Sequence, residues 1–279
     1  MLVDIKNLRI AFTSRGKRFE AVRGISLSLG REKLGIVGES GSGKSLTARA
    51  LMKLLPKTAE VTADTLRYDD VDVLKASERQ MRKIRGGRVG FVLQDPKYSL
   101  NPVKTIGSQV DEAWREHKRG SAREAREATL DLLDQVMIRD PKKVYASYPH
   151  EVSGGMGQRA MIAMALAPNP ELLIADEPTS ALDATVQAEI LRLINDLVEK
   201  RGMGLILISH DLPLVSHFCD RVCVMYSGQI MEEMAASDLM NAQHPYTRGL
   251  LNCMPSLMHP RDRLPVLTRE DSWQEETAR

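Results

Sequence analysis

Eight consecutive residues, Gly38-Glu39-Ser40-Gly41-Ser42-Gly43-Lys44-Ser45, combine the side chains and backbone freedom that hold a phosphate. Glycines let backbone N–H groups turn inward around the oxygens, Lys44 reaches the β- and γ-phosphates, and the Ser45 hydroxyl can ligate Mg²⁺. These eight residues and the adjoining Leu46 are candidate nucleotide contacts. A second kind of chemistry closes the apolar run Leu172-Leu173-Ile174-Ala175, where Asp176 and Glu177 follow one another. An Asp at the end of such a strand lies near Mg²⁺. Its neighbour Glu177 points toward a water in line with the γ-phosphate and is the candidate general base. Gln94 could reach Mg²⁺ or the attacking water, and His210 the γ-phosphate; taken alone, each is more often structural. Ser153-Gly154-Gly155, ahead of a helical run, forms a second anion cradle. Either the chain binds two phosphates, or this cradle serves another subunit's nucleotide.

The elements that must position these groups follow from patterning. Val3, Ile5 and Leu8 to Ala11, then Val22 and the alternating residues 25–29, predict strands on either side of a polar hairpin-like segment, residues 14–18. Leu34-Gly35-Ile36-Val37 predicts a strand running into the glycine-rich turn, and residues 45–55 predict a helix that Pro56 stops. Residues 88–93 predict another strand. The character changes over residues 102–167. There, residues 106–117 have helix spacing, and Ser121-Ala122-Arg123-Glu124 is a capping box opening a helix with Leu130, Leu133 and Met137 on one face. Residues 160–167 are also helical. Further on, the apolar runs 172–175 and 205–208 flank a helix over 185–200, which predicts a buried parallel sheet with crossover connections.

Composition narrows the class. With 279 residues the chain is one large domain or two modest ones. A balance of 39 Lys+Arg against 37 Asp+Glu excludes duplex binding by phosphate neutralisation, and 4% aromatics excludes a base-stacking platform. No run approaches the ~18 apolar residues that cross a bilayer. Asp4 and Lys6 interrupt the N-terminus, which is neither a secretory signal nor a lipidation motif. Cys219, Cys223 and Cys253 make no disulfide framework. Cys223 sits in the short apolar run Val222-Cys223-Val224-Met225 and nothing nearby completes a ligand set with Cys219, so the two read as buried apolar cysteines in a reducing, cytosolic compartment. The end of the chain, with Pro255, Pro260 and Pro265 and no period, reads as a tail.

With these motifs in this order, the sequence resembles the ATP-binding-cassette (ABC) ATPases over residues 3–257. In that family the Ser-Gly-Gly signature of one subunit closes over ATP held by the phosphate loop of its partner. The resemblance identifies residues 38–45 as the phosphate loop, Gln94-Asp95-Pro96 as the glutamine loop, residues 153–158 as the signature and residues 172–178 as the magnesium and base strand. Ser180-Ala181-Leu182-Asp183 matches the dimer loop, and His210 in Ser209-His210-Asp211 the switch histidine. It implies Ser45, Gln94 and Asp176 around Mg²⁺, and Ser153, Gly154, Gly155 and Asp183 as nucleotide contacts. Phe12, ahead of Phe19, takes the adenine-stacking place. The implied fold is α/β: a P-loop NTPase (RecA-like) core with an N-terminal antiparallel β subdomain and an inserted α-helical subdomain. Residues 1–101 and 168–240 would form the nucleotide-binding core, 102–167 the helical signature subdomain and 241–279 a C-terminal extension.

Four stretches resemble the peptide and nickel importer branch: Tyr148-Pro149-His150-Glu151, Met156 within the signature, Ser99-Leu100-Asn101-Pro102, and His244-Pro245-Tyr246-Thr247-Arg248. The branch implies an ATP-hydrolysing subunit using ATP and Mg²⁺ to power import of peptides, nickel or a related solute. Its partners are a second ATPase subunit, identical or not, two transmembrane permease subunits and, indirectly, an extracytoplasmic solute-binding protein, with no nucleic acid. Its place is peripheral, on the cytoplasmic face of the cell membrane. Val152 replaces the usual Leu or Phe of the signature, Gly157 the branch's Arg, and Pro213 a usual Gly. Gly157 predicts a looser start to the signature helix. Only Cys253 is left of a cysteine-rich extension, so no iron–sulfur cluster is expected. Two alternatives stay open: an ATPase of a soluble complex of the phosphonate-degrading type, and a weakly active regulatory partner. A chromosome or DNA-repair ATPase needs a long coiled coil or zinc-binding cysteines within the cassette, and the sequence has neither.

Overall fold

The computed structural model describes residues 1–253 except 15 and 181. The predicted proline-containing tail and Ala181 of the dimer loop lie outside the described residues. In chain order the elements are strands β1 (Val3–Ser14), β2 (Lys17–Leu29) and β3 (Lys33–Val37), helix α1 (Lys44–Leu51), then β4 (Ala59–Thr62), β5 (Thr65–Tyr68) and β6 (Val71–Asp72). Helix α2 (Glu78–Ile84), strand β7 (Val89–Val92) and helices α3 (Pro96–Ser99), α4 (Ile106–His117), α5 (Ala122–Gln135), α6 (Pro141–Ala146) and α7 (Gly154–Leu166) follow. The remainder is β8 (Leu172–Asp176), α8 (Ala184–Arg201), β9 (Gly204–Ser209), α9 (Leu212–Phe218), β10 (Arg221–Tyr226), β11 (Gln229–Ala235) and α10 (Pro245–Asn252). Among the described residues two compact units result: residues 1–74 with 207–253, and residues 75–206.

In the first unit, β1 is the antiparallel partner of β2, β4 and β5. Val3 and Ile5, then Leu8 and Ile10, are buried in β1, the alternation shifting by one residue where the register breaks between Ile5 and Leu8 and Asn7 has φ 50°. β3 pairs in parallel with β10, and β10 in turn antiparallel with β11. Leu34, Ile36, Val37, Val222 and Val224 are all but inaccessible to solvent. That is why these strands read as unbroken apolar runs. Helix α1 ends at Leu51, short of the predicted residue 55, because Lys53 turns left-handed at φ 51° and Pro56 follows.

In the second unit, β7 and β8 pair in parallel, from Val89↔Leu172 to Val92↔Ala175. Helices α4 to α7 form a cluster tied by Asp111, whose carboxylate accepts the Thr129 hydroxyl of α5 and the Tyr145 hydroxyl of α6, both at 2.6 Å. Burial, with the bond to Asp111, raises the Tyr145 pKa. Gly107 of α4 lies against the Tyr145 ring, where an added Cβ would meet Cδ2 at 2.3 Å; only glycine allows so close an approach. The expected capping box is present: Ser121 Oγ accepts the Glu124 N–H at 3.3 Å, and the Glu124 carboxylate accepts the Ser121 N–H at 2.6 Å.

One expected face is corrected. Helix α5 ends at Gln135, and Met137, at φ 60° and 64% exposed, lies beyond it. The buried side of α5 is Ala125, Thr129, Leu132 and Leu133. The signature helix begins at Gly154, before the predicted residue 160, and runs unbroken through Gly157 to Leu166. A helix-interior glycine costs about 1 kcal/mol relative to alanine. At Gly157 an added Cβ would meet only Pro96 Cβ at 3.5 Å and Cγ at 3.6 Å, ordinary contacts. Gly157→Ala is therefore expected to stabilise the chain by about 0.5–1 kcal/mol, read as a raised urea midpoint with unchanged slope; a lowered midpoint would contradict it.

Candidate functional site

In the first unit, β3 delivers the chain into the phosphate loop, and α1 begins at Lys44 behind its N-cap Gly43, which has no side chain to compete with an anion for the helix N-terminus. Gly38, Gly41 and Gly43 have φ of 143°, 83° and 100°, conformations that turn successive amides inward. Lys44 is 5% exposed, and its Nζ donates to the carbonyls of Gly38 and Glu39, each at 2.8 Å, and to Ser42 Oγ at 3.4 Å. The ammonium is thus held under the loop by three acceptors. Thr47 closes the first turn of α1, its hydroxyl donating to the Gly43 carbonyl at 3.0 Å. Phe12 is half-buried opposite Phe19 across the β1–β2 hairpin, and Phe19 is 67% exposed. His210 follows β9 and is exposed; Asp211 beyond it caps α9 by accepting the Leu214 N–H at 3.0 Å.

In the second unit, β8 ends on Asp176, 4% exposed. Glu177 follows at φ 48°, a left-handed conformation that is strained for a residue with a side chain. Its carbonyl accepts the N–H and hydroxyl of Ser180, both at 3.3 Å, which fixes the turn. Gln94 Nε2 donates to Glu177 Oε2 at 3.3 Å, so the two residues expected at the attacking water do meet. Ser153 caps α7, its Oγ accepting the Met156 N–H at 3.3 Å, and Ser153 and Gly154 are exposed. Asp183, expected to contact nucleotide, is engaged as the cap of α8, accepting the N–H groups of Thr185 and Val186 at 3.1 Å each. A groove of about 530 Å³ separates the glutamine loop from the signature helix, with Gln94, Pro96, Ser153, Gly157 and Gln158 among its walls. Within this unit, Gln94 of the acid–amide pair and Ser153 and Gly154 of the second anion cradle line one space.

Cys219 and Cys223 are buried in the first unit; burial pushes the Cys219 thiol up to about 12 and raises that of Cys223 still further, which keeps both as thiols. Three contributors to the loop's surroundings were not anticipated from the sequence: Tyr246, whose hydroxyl accepts the Glu39 N–H at 3.3 Å, Gly228, whose N–H donates to the Ser42 carbonyl at 3.1 Å, and Arg23, whose Nε donates to the Ser227 carbonyl at 2.8 Å. The His244–Arg248 stretch was the only sign of the first of them.

The sequence profile described as "ABC transporter" matches residues 22–180. The chain is 48% identical over 271 residues to the probable peptide ABC transporter ATP-binding protein y4tR of Sinorhizobium fredii, an alignment covering 96% of this chain and 81% of the relative. It is 45% identical to the dipeptide transport ATP-binding protein DppD of Haemophilus influenzae, covering 95% and 81%, and 45% identical to the oligopeptide transport ATP-binding protein OppD of Bacillus subtilis, covering 92% and 72%. Among solved structures, the dimeric post-hydrolysis state of the ATP-binding cassette MJ0796 bound to ADP and Pi superposes with TM-score 0.74 at 28% identity, over 84% of this chain and 99% of that one. The fold is that of a P-loop NTPase cassette, an ATP-binding and ATP-hydrolysing class. The chain belongs to the ABC transporter family.

Proposed function

We propose that this chain is one of two ATPase subunits of a peptide importer, docked on the cytoplasmic face of the membrane beneath two permease subunits and served by an external peptide-binding protein. The observation that carries the reading is the y4tR match over 96% of the chain, with both anion cradles and the Asp176-Glu177 strand end present in that span. The relatives named above are peptide, dipeptide and oligopeptide transport proteins, so peptide is favoured over nickel. No helix among the described residues is long and apolar enough to cross a membrane, which accords with peripheral attachment.

The proposed roles follow the chemistry of each residue. Residues 38–46 bind the phosphates of ATP, Lys44 offsetting charge on the β- and γ-groups. Phe12 stacks on the adenine. The Ser45 hydroxyl, Asp176 carboxylate and Gln94 side-chain oxygen make an all-oxygen donor set suited to Mg²⁺. Bound Mg²⁺ supplies charge neutralisation on the phosphate oxygens. Glu177 takes a proton from the attacking water, Gln94 orients that water, and His210 holds the γ-phosphate. Ser153, Gly154 and Gly155 complete the partner subunit's site, with Asp183 in the dimer loop between them. ADP offers nothing for the signature to hold, so hydrolysis releases the pair. In this scheme residues 102–167 carry the signature and 1–101 with 168–240 the nucleotide, residues from 241 on being an extension.

Reconstitution with the permease pair and binding protein tests the assignment. ATPase activity is expected to rise with peptide-loaded binding protein and to ignore Ni²⁺. Stimulation by Ni²⁺ alone would reverse the cargo, and co-purification with soluble enzymes in place of permeases would sink the importer reading.

A further inference from the structure

The stretch His244-Pro245-Tyr246-Thr247-Arg248 has no part in the chemistry above. We propose that Tyr246 is a positioning residue of the phosphate loop: by accepting the Glu39 N–H, its hydroxyl sets the loop before nucleotide arrives. The proposal rests on the reading that residues 38–46 hold ATP.

Tyr246 is 0% exposed, and its ring lies on that of Tyr226 at 4.5 Å between centroids, tilted by 41°. A tyrosine so deeply buried keeps its hydroxyl only where a polar partner receives it, and Glu39 N–H is 3.3 Å away. The ring's own position is secured at both ends. Upstream, the Glu232 carboxylate of β11 accepts the N–H groups of Gln243 at 2.7 Å and His244 at 3.1 Å, drawing the chain back against the sheet. His244 Nδ1 then accepts the Tyr246 N–H at 3.1 Å as the cap of α10, while Pro245 takes the first helical position, where no N–H is needed.

Tyr226 links this contact to a second hold on the same loop. It opens the two-residue turn between β10 and β11, in which Ser227 and Gly228 have φ of 46° and 85°. Gly228 N–H donates to the Ser42 carbonyl at 3.1 Å, and Arg23 Nε pins the turn through the Ser227 carbonyl at 2.8 Å. The loop is therefore held at Glu39 by the Tyr246 hydroxyl and at Ser42 by Gly228, the turn residue two positions after Tyr226, on whose ring Tyr246 lies. A loop held this way presents its amides without first being ordered by the ligand, which raises affinity.

Titration of full-length protein with a fluorescent ATP analogue tests this. Tyr246→Phe keeps the ring and removes the acceptor, so the dissociation constant is expected to rise about 3- to 10-fold, the worth of one net hydrogen bond. The ligand-free thermal midpoint should stay within about 2 °C of wild type, and amide exchange in the peptide containing Glu39 should quicken. Thr247→Val, at a fully buried neighbour whose hydroxyl has no hydrogen-bond partner among the described residues, should leave affinity unchanged. Equal affinity of wild type and Tyr246→Phe overturns the proposal, as does an equal loss in Thr247→Val, which would assign the effect to packing. Failure of the wild type itself to bind ATP would overturn the nucleotide reading and the proposal together.

Discussion

Glu177→Gln is expected to keep ATP affinity and lose turnover by about 10²–10⁴-fold, the usual worth of a positioned general base. The substitution changes one oxygen to an amide nitrogen and leaves shape intact. The left-handed backbone at φ 48° is held by the Ser180 contacts to the Glu177 carbonyl, which no side-chain change at this position removes. An amide can also still accept from Gln94, so the pair at 3.3 Å survives in form. What disappears is the capacity to take a proton. With ATP bound and hydrolysis blocked, a dimer that closes around ATP should accumulate, visible as a larger species on size exclusion only when ATP is present. Hydrolysis at the wild-type rate by this variant would remove Glu177 from the role of base.

Gly38→Ala is expected to weaken ATP binding by more than about 100-fold and to lower stability by about 2–5 kcal/mol. The added Cβ would stand 2.0 Å from the Met225 carbonyl oxygen, at a φ of 143° that a side chain resists. Neither side can yield cheaply. Met225 is 0% exposed, and the adjoining Val224↔Val37 pair fixes β10 against β3. Displacing Gly38 would also take its carbonyl from Lys44 Nζ. Gly41→Ala is the contrast: its φ is 83° but nothing among the described residues lies within 4 Å, so only backbone strain of about 1–2 kcal/mol is expected. Isothermal titration with ATP, alongside urea unfolding, separates the two. Comparable behaviour of both variants would show that the approach to Met225 does not constrain the loop.

The long elements were legible because local chemistry and tertiary need agree in them. Helix α4 falls on the predicted residues 106–117, with Thr105 as its cap, and α5 opens at the predicted Ser121 box. α8 extends one residue beyond the prediction at each end, from the Asp183 cap to left-handed Gly202. Short elements were missed for a physical reason. Helices α6 and α9 have six and seven residues, too few to show a period, although Asp140-Pro141 and Asp211 are capping signals that could have marked them. Met137 misled because the apolar spacing of α5 continues past its end, with no glycine to announce the left-handed turn. In the candidate site, residue types were readable and directions were not. Nothing in a sequence says that Lys44 turns back onto Gly38 and Glu39, that Gln94 meets Glu177, or that Asp183 spends its carboxylate on a helix end. Tyr246 was the least legible, since its partner lies 207 residues away.

That separation has a consequence for biosynthesis. Chains emerge N-terminus first, so the whole phosphate-loop sequence is outside the ribosome long before Gly228 and Tyr246 are made. A nascent chain at that stage carries the motif with neither of the two contacts that set it. Contacts so distant in sequence also form late in folding. If Tyr246 sets the loop as proposed, full nucleotide affinity is reached only after residue 246 has been made, and a fragment truncated ahead of Tyr246 is expected to display a complete motif and bind ATP less tightly than the longer chain.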